Sequence, residues 1–224
     1  MNSKTAMLLA AGKGERMGML TQQTPKPLLK CRGKTLIERH LENLSIAGFT
    51  DVVINVSYLS SQIVNFVGNG SNWNLNVLFS KEDQVLETAG GIKKALTLIK
   101  SDTFAVINAD IFTEFNYANI FNFKLSDNIN AHLYLTDNPS HNPKGDFYLN
   151  KSGFLELKKS EAKTFSGIAV YRKIFFDEIA ANTYLKLAPF LNEAIEKRLI
   201  SGSLLNSKWF DVGTPERLNS LNEL

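Results

Sequence analysis

Four short apolar runs in the first half of the chain do most to limit what it can fold into: AMLLA (6–10), DVVINV (51–56), NVLF (76–79) and TFAVIN (103–108). Each is too short for a stable helix and lacks polar alternation, the pattern of strands covered on both faces. Between them Ile37, Leu41, Leu44 and Ala47 fall on one helical face, as do Ile92, Ala95, Leu96 and Ile99. Strand–helix alternation of this kind predicts a Rossmann-like, doubly wound α/β sheet. Beyond about residue 110 the pattern changes. AHLYLTD (131–137), GDFYL (145–149) and FSGIAVY (165–171) are strand-like with little helix between them. An amphipathic helix carrying Leu187, Phe190, Leu191, Ala194 and Ile195 follows, then a short strand at GSLL (202–205) and a final helix from Thr214. The expectation is one mixed-sheet α/β domain over 1–224, with an α/β half over about 1–110 and a more β-rich half over about 111–224.

Charge and cysteine content narrow the function classes. Lys and Arg number 25 against 22 Asp and Glu, a net charge of +3 spread along the chain, too weak a bias for a nucleic-acid surface. The single cysteine, Cys31, excludes an internal disulfide and any cysteine-based metal cluster, and suits a small buried apolar residue. The first residues lack the apolar stretch of a signal peptide, and no run approaches the roughly 18 apolar residues of a membrane span. A cytoplasmic protein is expected, without membrane contacts.

LLAAGKGERMG (8–18) carries the strand into a glycine loop. A dinucleotide fingerprint fails because Met17 holds the third glycine position. A P-loop fails because Met7 stands where the first glycine should be and Gly14 follows Lys13. What remains is a strand, a Gly-x-Gly turn and a helix start bearing Arg16. Such a turn can face backbone N–H groups toward an anion, with Lys13 and Arg16 supplying full charges. An ordinary tight turn stays open on these residues alone. In TPKPLL (24–29), two prolines flank Lys26 and hold it on a stiff, extended backbone, suited to meeting a negative charge at a set place. A solvated loop lysine is the competing explanation.

Taken together, LAAGKGERM (9–17), TPKPLL, ETAGG (87–91), NAD (108–110) and WFDVGTPER (209–217) resemble the sugar-nucleotide pyrophosphorylases, or nucleotidyltransferases. Enzymes of this family join a sugar 1-phosphate to a nucleoside triphosphate and release pyrophosphate, on a GT-A-like fold with a sugar-binding second half. The resemblance runs through nearly the whole chain in the right order. NPSHNPKGDF (138–147) and TFSGIAV (164–170) are most similar to the branch that uridylylates N-acetylmuramate 1-phosphate in cell-wall recycling. The substrates so implied are UTP and that sugar phosphate. A mannose or other hexose 1-phosphate nucleotidyltransferase is the nearest alternative. A non-catalytic nucleotide-sugar sensor is an alternative of another class, and the presence of Arg16, Lys26, Asp110 and Asp211 speaks against it.

Site assignments follow the resemblance. Ala11, Gly12, Lys13, Gly14, Glu15 and Arg16 would cradle the triphosphate, and Arg16 and Lys26 would neutralise charge on it. Asp110, at the carboxyl end of TFAVIN where open α/β sheets place ligands, and Asp211 would together hold Mg²⁺ through hard oxygen ligands. Either aspartate alone could be a helix cap or a surface acid. Asn108 would meet a ribose or sugar hydroxyl. Glu87, Thr88 and Gly90 would contact the base or another part of the nucleotide, the glycine pair at 90–91 allowing a flat group close to the backbone. A capped helix start with Glu in its first turn is the competing explanation. Asp146 would bind the sugar or its phosphate side, with Phe165, Ser166 and Gly167 lining the same pocket; a plain hairpin-turn aspartate is the competing explanation. Many relatives carry a Glu-Lys-Pro run before the strand at FSGIAVY. Here LELKKSEAKT offers Lys158, Lys159 and Lys163 without that triplet, so the cation for the sugar phosphate stays unassigned. His40, His132 and His141 fall at no metal spacing, and His40 is expected to be a packing residue. The length leaves no room for a second catalytic domain, which implies a single activity and a monomer or weak homo-oligomer.

Overall fold

The computed structural model describes residues 4–157 and 161–223. Strand β1 (Thr5–Leu9) runs into the glycine loop, and a small hairpin of β2 (Lys30–Cys31) and β3 (Lys34–Thr35) leads to helix α1 (Leu36–Ala47). There follow β4 (Asp51–Val56), α2 (Ser60–Val67), β5 (Asn76–Lys81), α3 (Glu87–Ala95) and β6 (Thr103–Asn108). The second half holds β7 (Ile111–Thr113), α4 (Ala118–Asn122), β8 (Ala131–Thr136), β9 (Tyr148–Leu149), β10 (Leu155–Glu156) and β11 (Thr164–Arg172). It ends with α5 (Leu187–Glu196), β12 (Ile200–Leu204), β13 (Trp209–Asp211) and α6 (Pro215–Asn222).

Seven strands form the central sheet in the order β12-β8-β11-β6-β1-β4-β5. β6, β1, β4 and β5 are mutually parallel, so their carboxyl ends share one edge. β11 runs antiparallel to both β6 and β8 and stitches the two halves into one sheet. The doubly wound mixed sheet expected from the sequence is therefore present. Because side chains alternate along a strand, β1 feeds two layers: Ala6 and Leu8 point to one and Met7 to the other. The first layer is closed by Ile37, Leu41 and Leu44 of α1 and Ile63 and Val67 of α2. The second is closed by Ala89, Ile92 and Ala95 of α3 and Leu191, Ala194 and Ile195 of α5. Fully burying one such aliphatic side chain contributes about 1.5–3 kcal/mol, so these two stripes hold the helices to the sheet.

Local signals set the element boundaries. Thr35 caps α1 by accepting from the Glu38 N–H while the Glu38 carboxylate accepts from the Thr35 N–H, and Gly48 ends the helix at φ 94°. Thr214 caps α6, with Pro215 at its first position. Cys31 is fully buried in a third cluster with Met17, Leu36, Phe112, Val212 and Leu221, and burial raises its thiol pKa. His40 is packed as expected: it stacks on Tyr117, its Nδ1 lies 2.7 Å from the Tyr117 hydroxyl, and burial lowers its pKa to about 4. Among the described residues, no helix is long and apolar enough to cross a membrane.

The structure departs from the sequence expectation in several places. The helix expected after Gly14 is a 3₁₀ stretch, Glu15–Thr21, kinked at Gly18, so little helix dipole supports the loop. Lys26 opens another 3₁₀ turn, Lys26–Leu28, rather than lying on extended backbone. Of GDFYL, Tyr148–Leu149 pairs with Leu155–Glu156 outside the main sheet and Phe147 makes an isolated antiparallel bridge to Lys163, so the run forms no strand of the central sheet. Ile99 is buried beyond the end of α3. Helices α2 and α4 and the β7–β13 ribbon carry too few periodic residues to stand out in the sequence.

Candidate active site

The carboxyl ends of β1, β4, β5 and β6 open into a cleft of about 1290 Å³. Its walls include Ala11 through Arg16, Lys26, Asn55, Glu82, Glu87, Thr88, Asn108, Asp110 and Tyr184. All the residues expected to cradle a triphosphate are thus on one wall, with Lys13 and Arg16 exposed at the rim.

The loop and Lys26 are built as one unit. Gly14 has φ 68°, which an L side chain rarely adopts, and a Cβ there would lie 3.2 Å from Lys26 Cβ and 3.0 Å from Thr21 Cγ2. The missing side chain lets the lysine stem pack on the loop backbone, while the Thr21 hydroxyl donates to Gly14 O at 2.9 Å. Lys26 is buried, and its ammonium donates to the Asp110 carboxylate at 2.5 Å. A buried lysine is rare unless paired, and here its partner is a carboxylate on the cleft wall.

Asp110 lies in the turn between β6 and β7. Antiparallel pairing of β7 with β13 puts Asp211 opposite Ile111, and Val212 N–H donates to Asp110 O at 3.0 Å. Residues 101 positions apart thus reach neighbouring stretches of backbone. Asp211 accepts from Arg217 at 2.5 Å and lies 3.3 Å from His141 Nε2, so each aspartate has a cationic neighbour of its own. The side chains of Asp110 and Asp211 keep 35% and 22% of their surface exposed. Two partly open hard-oxygen donors on adjacent backbone fit Mg²⁺, which takes one or two carboxylates and completes its shell with phosphate oxygens and water. Among the described residues no group of three or more His, Cys, Asp or Glu could hold a metal on protein ligands alone.

A buried polar relay, absent from the sequence reading, ties the end of β1 at the glycine loop to the start of α3. Asn55 Oδ1 accepts from Ala10 N–H at 2.8 Å, and Asn55 Nδ2 donates to Glu82 Oε1 at 2.8 Å. Glu82 Oε2 then accepts from Leu86 N–H at 2.9 Å. The available signal was Asn55 itself, a lone amide inside the apolar run DVVINV. Beside it, Glu87 sits at φ 60°, a strained value for a residue with a side chain, and accepts a hydrogen bond from the exposed Tyr184 hydroxyl at 2.8 Å. That bond raises the Tyr184 pKa.

Gly90 receives a different explanation from the one expected. It does not line the cleft, and a Cβ there would come within 2.0 Å of Thr183 O. Leu185 O accepts from Ala89 and Gly90 N–H, and Leu185 N–H donates to Leu86 O. The chain's own 183–185 segment, not a base, occupies the space that Gly90 leaves. Asp146, Phe165, Ser166 and Gly167, like Asp211, lie outside the residues that line this cleft. Asp146 accepts from Phe165 N–H at 2.8 Å and from Asn142 Nδ2 at 3.0 Å, which organises the 138–146 loop. Ser166 is fully buried and donates to Tyr134 O at 2.7 Å, at a bulge where β11 shifts register. Gly167, at φ 77°, makes room for Asn108, whose Nδ2 would lie 2.5 Å from a Cβ there. Lys163 pairs with Asp137 at 2.8 Å, whereas Lys158 and Lys159 lie outside the described residues.

Residues 5–224 match the family model for nucleotidyl transferases. An N-acetylmuramate alpha-1-phosphate uridylyltransferase of Neisseria meningitidis is 44% identical over 224 residues, covering 98% of this chain and 97% of its own. A mannose-1-phosphate guanyltransferase of Schizosaccharomyces pombe is 28% identical and aligns with 94% of this chain but 61% of its own length. Among solved structures, HddC of Yersinia pseudotuberculosis superposes with a TM-score of 0.81 at 21% identity, covering 98% of each chain. A UDP-glucose pyrophosphorylase of Acinetobacter baumanii gives 0.80 at 14%, covering 99% of this chain and 92% of its own.

Proposed function

The chain belongs to the nucleotidyl transferase family, and from that premise we propose that it transfers the uridylyl group of UTP to N-acetylmuramate 1-phosphate and releases pyrophosphate. The observation that carries the reaction type is the buried Lys26 ammonium, packed on the glycine loop and seated on Asp110 at the cleft wall. The substrate pair rests on the 44% identical relative, which matches this chain nearly end to end.

In the proposed reaction an oxygen of the sugar phosphate bonds to the α-phosphorus of UTP. The bond from that phosphorus to the bridging oxygen breaks, and pyrophosphate leaves with the electron pair. Such transfer needs positioning and charge neutralisation rather than a covalent protein intermediate. Ala11 through Arg16 receive the triphosphate, Lys13 and Arg16 offset its charge at the rim, and Lys26 offsets charge at the transferring phosphate. Asp110 and Asp211 would hold Mg²⁺, which when bound neutralises phosphate charge and orders the two reacting phosphates. Glu87, Thr88 and Tyr184 form the base side of the cleft. The 138–146 loop, fixed by Asp146 and bringing His141 beside Asp211 and Arg217, forms the sugar side. Such an enzyme would work in the cytoplasm, where nucleoside triphosphates are held.

The test is pyrophosphate release with Mg²⁺ across the four common ribonucleoside triphosphates and a panel of sugar 1-phosphates. Turnover concentrated on UTP with N-acetylmuramate 1-phosphate is the expected result. Turnover with another pair would keep the reaction and overturn the substrates.

A further inference from the structure

The buried relay between β1 and α3 has a polarity that fixes its chemistry. Both of its ends are backbone donors: Ala10 N–H at the glycine loop and Leu86 N–H one residue before α3. A chain of hydrogen bonds that begins and ends on donors needs one member that accepts on two sides. A carboxylate does so, whereas an amide pairs an acceptor with a donor. Asn55 therefore turns Oδ1 to Ala10 and Nδ2 to Glu82, and Glu82 accepts on both oxygens. Both residues are only 4% exposed, and at such depth an unmet donor or acceptor is costly.

The surrounding fold is shaped to this pair. Asn55 lies on β4, which pairs with both β1 and β5, so the relay starts from a rigid strand. Glu82 follows β5 directly, its own N–H donating to Val56 O at 2.8 Å. A Cβ at Gly91 would lie 2.7 Å from Glu82 Oε1 and 2.9 Å from Asn55 Nδ2. Helix α3 thus lacks a side chain at its centre, where glycine weakens a helix, and the relay fills the space. Its two ends lie at two walls of the cleft. Ala10 leads into Ala11 through Arg16, and Leu86 leads into Glu87 and Thr88, all of which line it. Glu87 sits at φ 60°, a conformation that persists only where neighbours hold the backbone.

We propose that Asn55 and Glu82 are positioning residues, an inference that rests on reading the cleft as a nucleoside triphosphate site. They fix the span between the glycine loop and the start of α3, so that one nucleotide is held by its phosphates and its base at once. They act through the backbone they hold, not on the transferring phosphate. A ligand that occupies both ends gains from a span ordered before it binds. A ligand on the glycine loop alone gains little.

The polarity of the relay supplies the test. Glu82→Gln puts an amide donor against either Asn55 Nδ2 or Leu86 N–H, and Asn55→Asp sets two carboxylates face to face. Each leaves the Ala10 bond in place and breaks the relay beyond it. The double variant Asn55→Asp/Glu82→Gln reverses the roles. Its new amide donates to the new carboxylate and accepts from Leu86 N–H, so all three bonds return. Calorimetric titration of the full chain in Mg²⁺ compares UTP with tripolyphosphate, which carries the phosphates without a base. Each single variant should bind UTP at least about tenfold more weakly, with tripolyphosphate within about threefold of the parent. The double variant should recover UTP binding to within about threefold. A purely structural pair would lower the urea midpoint and recover it in the double variant without telling the two ligands apart. Should a single variant fail to fold, Gly91→Ala keeps both groups and crowds them, and the same UTP-selective loss is expected of it. A parent that prefers UTP to tripolyphosphate, with variants that weaken both ligands equally or neither, or with no rescue in the double variant, would overturn this inference alone. A parent without that preference would overturn the nucleotide reading, and this inference with it.

Discussion

Replacing Lys26 by methionine removes one charge from the cleft and little else. The aliphatic stem that packs against Gly14 is kept, and Asp110, freed of its partner, has a side chain 35% exposed that water can reach. A half-open ion pair of this kind, discounted for solvent screening, contributes only about 0–1 kcal/mol to folding. Loss of a preorganised cation at a transferring phosphate costs roughly 2–4 kcal/mol of transition-state stabilisation. At about 1.36 kcal/mol per decade this lowers kcat/KM roughly 30- to 900-fold. The catalytic effect should therefore exceed the stability effect at least twofold, which separates a reacting group from a structural ion pair. Steady-state pyrophosphate release gives the first number and the urea midpoint the second. A kcat/KM within about threefold of the parent would refute the assignment. So would a loss of activity matched by a large drop in the urea midpoint.

Three other outcomes follow from the geometry. Asp211→Asn should lower Mg²⁺-supported turnover by at least about 100-fold with little change in the urea midpoint, whereas Asp110→Asn should lose as much turnover and also lower the midpoint, because it leaves the buried Lys26 ammonium without its counter-charge; retained turnover in either variant would remove that aspartate from the proposed metal pair. Gly90→Ala should destabilise the protein by roughly 1–3 kcal/mol and speed hydrogen exchange at Ala89 and Gly90, because the added methyl meets Thr183 O. Gly12→Ala, with nothing within 4 Å of the added methyl, should leave the urea midpoint unchanged and serve as the control. His40 and His132 are both buried, and desolvation lowers each from 6.5 to about 4. The unfolded chain therefore binds more protons between these values, so stability is full above pH 6.5 and falls as pH drops toward 4, by about 3 kcal/mol per histidine at the limit. Urea midpoints at pH 7, 6 and 5 should show this decline, and His132→Gln, which cannot titrate, should show about half the slope; a flat profile would contradict the burial argument.

Much of the fold was legible because parallel strands buried on both faces leave continuous apolar runs, and amphipathic helices leave periodic ones. All four of the early runs proved to be neighbours in the central sheet. What escaped notice was structure stabilised by pairing rather than pattern. β7 and β13 are three residues each, and their register, Asp211 against Ile111, is set by contacts across almost half the chain. The 15–21 segment reads as a helix start in the sequence, yet Gly14 at φ 68° and the break at Gly18 accompany 3₁₀ geometry instead. Such choices depend on backbone angles that composition does not encode.

The site shows the same division at the level of single residues. The cations were visible as residue types, but their partners were not: nothing in TPKPLL names Asp110, and Arg217 stood in the quoted motif WFDVGTPER without a role until its guanidinium met Asp211. The glycines sharpen the point. Gly12 and Gly90 are equally suggestive in sequence, each beside a residue expected to touch nucleotide, and the reason for the missing side chain differs. A Cβ at Gly90 collides with the protein's own Thr183 carbonyl, so packing alone requires glycine there. A Cβ at Gly12 meets no protein atom within 4 Å, and the backbone is not at positive φ. Neither packing nor conformation demands glycine at that position, while it opens on the cleft. Glycine at position 12 is thus what the proposed reaction asks for, since a phosphate group held by the loop would pass within contact distance of the backbone.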